Sequence, residues 1–233
     1  MDTLLKNIES LKNEMGSTVV MFRGHSSSTY KLLPTILRCG DATVEEDMFY
    51  EYKTYASSLN GKTKSNWDLL LDMQHYGLPT RLLDWTSSLG TALYFALLNN
   101  PTSPCIWVLD PYKLSKISTG AGILFDTSTV ADQGGHKGFN VSNLIAKESA
   151  FETPYAIRPP HGNSRISAQR GIFTVHTKSN KPLEELCPDA VRRVLIPNSE
   201  VEKFQCYLQQ LGIDEFSLFP DQEGLVGYLK KRY

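Results

Sequence analysis

Apolar residues recur at helical spacing near the start of the chain, at Leu4, Leu5, Ile8, Leu11 and Met15. That period predicts an amphipathic helix over 1–15, broken by Gly16-Ser17-Thr18. The apolar run Val19-Val20-Met21-Phe22 has the length of a buried strand and ends at Arg23-Gly24. A polar loop from His25 to Thr29 and a turn at Pro34 come next, then a charged amphipathic helix over 43–60 and an Asn60-Gly61 turn. Trp67 to Met73 opens another helix, Leu82-Leu83-Asp84-Trp85 reads as a strand, and residues 88–98 read as the helix after it. Cys105 to Leu109 is a compact core strand closed by Asp110-Pro111.

The pattern loosens in the middle of the chain. Gly120 to Gly138, with Gln133-Gly134-Gly135-His136, reads as a long loop or lid. Pro154, Pro159, Pro160 and Gly162 predict irregular backbone over 153–163. Strand character returns at Gly171 to His176 and at Val191 to Pro197. A helix follows over about 199–211 and ends at Gly212, after which Pro220 and Gly224 break the remainder. Repeats and linkers are absent, so the pattern predicts one α+β domain with its elements mixed rather than alternating.

Composition narrows the picture. The 233 residues are enough to bury a substantial core, and 41% hydrophobic with 21% charged residues argues against disorder. A net charge of −1 removes the bulk signature of a nucleic-acid binder while leaving a local basic patch open. Cys39, Cys105, Cys187 and Cys206 are far apart without metal-ligand spacing, which predicts free buried thiols rather than a disulfide or zinc framework. The start of the chain has no basic segment followed by an apolar one, and no apolar run has membrane-spanning length; a soluble, cytoplasmic protein is expected.

Candidate chemistry concentrates between Gln74 and Ser87, where polar, ring-bearing and turn-forming residues sit beside the apolar Ala92 to Leu98. So many hydrogen-bonding groups next to core structure need each other or a ligand, which suggests the wall of a polar pocket. Arg23, at a buried strand end, calls for an anionic partner, either a ligand or an internal carboxylate. Gly24 permits close approach to the backbone. His75 and Tyr76 suit a pocket rim, although a lone histidine is as readily an ordinary core or surface residue. Arg81 and Asp84 are near enough to pair with each other. Thr86-Ser87-Ser88 reads equally as a helix N-cap or as a cradle for phosphate or ribose. A second polar cluster, Arg165 to Thr174, places Gln169 just before a strand, as a ligand contact or as part of a solvated turn. Walker, GxGxxG, GxSxG and HExxH motifs are absent, and no acidic pair marks a metal site.

Together these segments resemble the FRG domain family, named for its Phe-Arg-Gly motif. The resemblance rests on Phe22-Arg23-Gly24, on Tyr30-Lys31-Leu32-Leu33-Pro34 with Arg38, and on Gln74 to Thr86 with Ala92 and Phe95-Ala96. It continues through Arg165-Ile166, Gln169, Gly171 and Phe173-Thr174 to Leu218-Phe219-Pro220-Asp221, spanning roughly residues 19 to 230. It implies an N-terminal helix over 1–18 ahead of an FRG domain over 19–233. Such domains are common in bacteria and phages near mobile elements, which implies a role in conflict or defence.

The motif order is also similar, more distantly, to ADP-ribosyltransferases of the arginine–serine–glutamate class. That likeness implies a mixed or split central sheet flanked by helices, with NAD as substrate and no metal. Arg23, Gly24, His25, Tyr76, Arg81, Asp84, Thr86 and Ser87 would contact NAD, and Arg23, His75 and Gln169 would be catalytic. Gln169 departs from the family pattern, because it takes the place of the catalytic glutamate and carries no charge to stabilise a ribosyl cation. Asp84, Glu148 or Glu152 would then supply the charge, or a reactive acceptor would manage without it. His25 and His75 would position NAD or take the acceptor's proton.

The expectation is a toxin or antiphage effector that transfers ADP-ribose to RNA, or to a protein, restrained by an antitoxin or other inhibitory partner acting at 120–163. The alternatives are a non-catalytic nucleotide sensor, and a nuclease that would need His25, His75 and His176 to converge.

Overall fold

The computed structural model describes residues 1–39, 44–60, 64–130, 139–160 and 164–233. Seven strands are seen: β1 (Met21–His25), β2 (Leu82–Thr86), β3 (Cys105–Leu109), β4 (Phe125–Asp126), β5 (Tyr155–Arg158), β6 (Gly171–Val175) and β7 (Val191–Leu195). They form one sheet in the order β4-β5-β6-β2-β1-β3-β7. The β4–β5 pair is parallel and the other neighbours are antiparallel, so the sheet is mixed and the fold is α+β.

The helices in chain order begin with α1 (Asp2–Met15), α2 (Thr35–Arg38), α3 (Val44–Asn60), α4 (Asn66–His75), α5 (Leu89–Ala96) and α6 (Pro111–Thr119). They continue with α7 (Thr127–Val130), α8 (Val141–Ile145), α9 (Ser164–Gln169), α10 (Leu183–Leu186), α11 (Val201–Gln210), α12 (Glu215–Leu218) and α13 (Gln222–Arg232). None of them is long and apolar enough to cross a membrane.

Strand alternation sorts the core. On β1, Phe22 packs with Leu4 and Ile8 of α1, Ala92 of α5 and Phe204 of α11, whereas its neighbour Met21 packs with Trp85, Trp107 and Leu114. A third cluster joins Phe49, Trp67 and Leu70 of α3 and α4 to Leu144 of α8 and to Tyr155, Ile157 and Phe173 of the sheet. Each such aromatic or aliphatic side chain contributes about 1.5–3 kcal/mol on burial.

The helices over 1–15, 43–60 and 88–98 and the strands at β2, β3, β6 and β7 form much as their patterns predict. Elsewhere the structure differs. The first strand starts at Met21, leaving Val19 exposed. Asp110-Pro111 does not simply close β3: Asp110 caps α6 by accepting from the Tyr112 and Lys113 N–H groups, with Pro111 in the first turn. Residues 153–163 are not irregular throughout, because Tyr155-Ala156-Ile157 is a fully apolar run that pairs with β6 between flanking prolines. The expected turn before β6 is α9. Beyond Gly212 the chain forms α12 and α13, and Gly224 lies inside α13 because a Cβ there would come within 1.9 Å of the Phe219 carbonyl.

Of the expected loop or lid over 120–138, β4 and α7 occupy 125–130, and 131–138 lie outside the described residues. In the rest of the 120–163 segment, Val141, Leu144, Ile145, Tyr155 and Ile157 are core residues. Gly61, Gln133 to His136 and Gly162 lie outside the described residues.

Candidate functional site

β1 and β2 are joined by one register pair, Phe22 opposite Thr86. Past it the strands part: Arg23, Gly24 and His25 continue against β3, while Asp84 and Trp85 continue against β6. The split between them opens into a cavity of about 320 Å³. Arg23 spans the gap. Its Nη1 donates to the Asp84 carbonyl at 2.7 Å and stands 3.7 Å from the Asp84 carboxylate. That carboxylate also accepts from Gln74 Nε2 at 2.9 Å, and Gln74 is fixed in turn by the buried Thr80 hydroxyl at 2.6 Å. Asp84 is therefore held by Arg23 of β1 and by Gln74 of α4.

Behind Arg23 sits His25. Arg23 Nε points at its Nε2 at 3.1 Å, and Trp107 Nε1 points at its Nδ1 at 3.2 Å. Both ring nitrogens face N–H donors, although a neutral imidazole has one free acceptor. Burial, then the charge of Arg23, pushes the His25 pKa down to about 3. His25 thus lines the cavity with both ring nitrogens facing Arg23 and Trp107, an arrangement that fits positioning better than taking an acceptor's proton.

Burial lowers the Arg23 pKa as well, with the nearby Arg38 charge adding to the effect and Asp84 opposing it. A guanidinium cannot shed its proton in a protein, so Arg23 stays charged, with Asp84 as its nearby carboxylate. Lys31 and Arg165 also line the cavity, against Asp84 as the one lining carboxylate among the described residues. Lys31 leans toward Glu184 and Glu185 at 3.9 and 3.5 Å. Lys31 and Arg38 were not singled out as site residues from the sequence; the signal available was the run of cations at 23, 31 and 38 within and after β1.

The far wall is built by α4, α9 and β6. His75 ends α4, and its Nδ1 is buried with no hydrogen-bond partner. Burial and the charge of Arg165 lower its pKa, leaving the ring neutral at physiological pH. Arg165 Nη1 donates to the His75 carbonyl at 3.3 Å and its guanidinium lies 4.5 Å from the Phe219 ring. The Gln169 amide donates to the Leu218 carbonyl at 3.1 Å.

The structure brings Arg23, Gly24, His25, His75, Asp84, Thr86 and Gln169 to the cavity. Their duties are partly structural. Gly24 lines it through its backbone, while its Cβ side is filled by α5: an added Cβ would lie 1.9 Å from the Ala92 carbonyl oxygen. Thr86 donates to the Gln169 carbonyl at 2.6 Å and accepts from the Ser88 N–H at 3.0 Å. Ser88, accepting from the Thr91 N–H, is the N-cap of α5.

Three expected contacts fall elsewhere. Tyr76 is 72% exposed with its ring against His75 and outside the cavity lining. Ser87 is exposed and its N–H donates to the Arg170 carbonyl. Arg81 does not pair with Asp84. It is buried against Glu45, whose carboxylate takes its Nε at 2.9 Å and its backbone N–H at 3.1 Å. A fully buried guanidinium needs a fully buried partner, and Glu45 is that partner.

Further expectations are settled by position. Glu152 pairs with Lys178 at 2.6 Å, and neither Glu148 nor Glu152 lines the cavity. His176 is buried outside it, so His25, His75 and His176 do not converge. The cysteines are free, with Cys105 and Cys187 buried but Cys39 and Cys206 exposed. No cluster of His, Cys, Asp or Glu able to hold a metal occurs among the described residues.

The strand-end Arg23-Gly24, its α5 cover and the Gln74-to-Thr86 wall fall within one stretch that matches a known family model, over residues 18–104. The matching model is that of the FRG domain. The match ends just before β3, so the matched residues supply Arg23, His75, Asp84 and Thr86, while Arg165 and Gln169 lie beyond it on α9, the helix that leads into β6. Comparisons with curated proteins and with solved structures gave no match.

Proposed function

We propose that the FRG cavity binds NAD and transfers its ADP-ribose to a nucleic-acid acceptor, RNA in the first instance. The observation that carries this reading is the charge around the split sheet: among the described residues, Arg23, Lys31, Arg38 and Arg165 against Asp84 alone. That balance suits a doubly charged pyrophosphate, and Phe95 on the lining suits a ring. Lys31 and Arg38 are exposed at one side, where an acceptor phosphate would meet them.

The chemistry uses few groups. The bond between ribose C1′ and nicotinamide breaks, and its electron pair leaves with neutral nicotinamide. The cationic ribose is met by the acceptor's lone pair, which forms the new bond to C1′, and the acceptor's proton passes to a base. Asp84 supplies the negative charge that Gln169 lacks. His75, which lines the cavity, is the base.

Labelled NAD incubated with total RNA and cell extract tests the transfer. Label on the nucleic acid is expected, with Asp84→Asn reducing the rate about 10²–10³-fold. Full transfer by Asp84→Asn, or no labelled product from folded protein, contradicts it. A sensor that binds the nucleotide without reacting is the second reading, favoured by the amide at Gln169; it predicts NAD binding with no label transferred. A role in phage conflict, and an antitoxin that restrains the enzyme, belong to the same proposal and rest on where FRG proteins are found.

A further inference from the structure

Gln169 is fixed at two points. Its backbone carbonyl accepts from Thr86 Oγ1 at 2.6 Å, and its side-chain Nε2 donates to the Leu218 carbonyl at 3.1 Å. A carbonyl oxygen only accepts, so the atom facing Leu218 must be the amide nitrogen, and Oε1 is left to face elsewhere. No hydrogen bond from the described residues engages Oε1. An ionised glutamate at this position would set acceptor against acceptor.

The adjoining residue braces the same wall. Phe219 meets the lining residue Phe95 edge-on at 6.1 Å and lies beneath the Arg165 guanidinium. α13 presses on the Phe219 carbonyl closely enough to require Gly224. The chain's C-terminal helices thus hold three cavity residues, Phe95, Arg165 and Gln169, through two consecutive positions.

We propose that Leu218–Phe219 is a positioning element that admits an amide but not a carboxylate at position 169, and that Gln169 thereby offers the cavity a fixed acceptor for a ligand hydroxyl. Gln169 is then a recognition residue in its own right rather than a glutamate that lost its charge. The ligand half of this inference rests on the nucleotide reading of the cavity. The amide selection rests on the fold alone.

The test compares Gln169→Met with Gln169→Glu. Both lose the donor to Leu218, and only the glutamate adds repulsion. Gln169→Met should lower Tm by about 3 °C, the loss of roughly one hydrogen bond. Gln169→Glu should lower it further and speed hydrogen exchange over residues 213–233. A Gln169→Glu protein with wild-type Tm and exchange overturns the amide selection, whereas one that fails to fold while Gln169→Met folds supports it.

Recognition is read separately, by titrating NAD and inorganic pyrophosphate into wild type and Gln169→Met. NAD binding about tenfold weaker with pyrophosphate binding unchanged is expected for one lost ligand hydrogen bond. Parallel loss of both probes overturns the contact, since Gln169 would then act only through the fold. Wild-type protein that binds pyrophosphate but not NAD removes the transferase reading and the hydroxyl contact together, and the stability comparison still decides the amide selection.

Discussion

Arg81 and Asp84 stand three positions apart, and the fold gives them unrelated partners. Spacing along the chain suggested that they pair; Glu45, 36 residues away from Arg81, is what a sequence reading had no means to place there. Removing Glu45 strands a buried guanidinium, so Glu45→Ala should lose about 3–5 kcal/mol in urea denaturation; an unchanged midpoint would contradict the pairing. Arg23 was legible as a strand-end cation needing an anion, because its charge cannot be lost. Its support by His25 was not, since that depends on Trp107 arriving from β3. His176 yields a pH prediction. Burial, then the charge of Arg81, holds its pKa at about 3 in the folded state, against 6.5 unfolded. Above pH 6.5 it is neutral in both states. As pH falls from 6.5 toward 3 the unfolded chain takes up its proton and the folded chain does not, so stability drops. Denaturant midpoints for His176→Phe should therefore fall less between pH 7.5 and 4.5 than those of wild type, and equal falls would refute the assignment.

Of the elements, α1, α3 and α5 could be read from the sequence by their helical spacing of apolar residues, and a central strand such as β3 as a short continuous apolar run. Those missed are short or begin with residues that also end things. Asp110-Pro111 reads as the end of β3, yet it is a helix start, with a capping carboxylate and a proline in the first turn where no N–H is needed. Asp110 also accepts from Ser17 Oγ at 2.5 Å, tying α6 to the chain just after α1. Asp110→Ala should cost about 1–2 kcal/mol in thermal or urea unfolding, and a neutral substitution would show that the cap is dispensable. β5 was hidden by its prolines, although these lie outside the paired residues. α13 was hidden by Gly224, whose reason is a contact with Phe219 that sequence reading does not reveal.

Across the whole molecule the cavity depends on how two halves of one sheet separate after a single residue pair. β1, β2 and α9 arrive from distant parts of the chain, so residue patterns alone showed the polar clusters around Arg23, Asp84 and Gln169 as separate motifs, and only the family resemblance implied that they converge. The excluded residues are as informative: Arg81, Tyr76 and Ser87 lie in or beside the same polar blocks and serve core packing, the surface and a backbone link. The central claim is that this cavity is an NAD site organised by Arg23. Calorimetric titration of NAD into wild type and Arg23→Ala, with circular dichroism to establish that both are folded, tests it most directly. The account predicts saturable binding by wild type and its loss in Arg23→Ala. No binding by folded wild type, or equal binding by the two proteins, would contradict it.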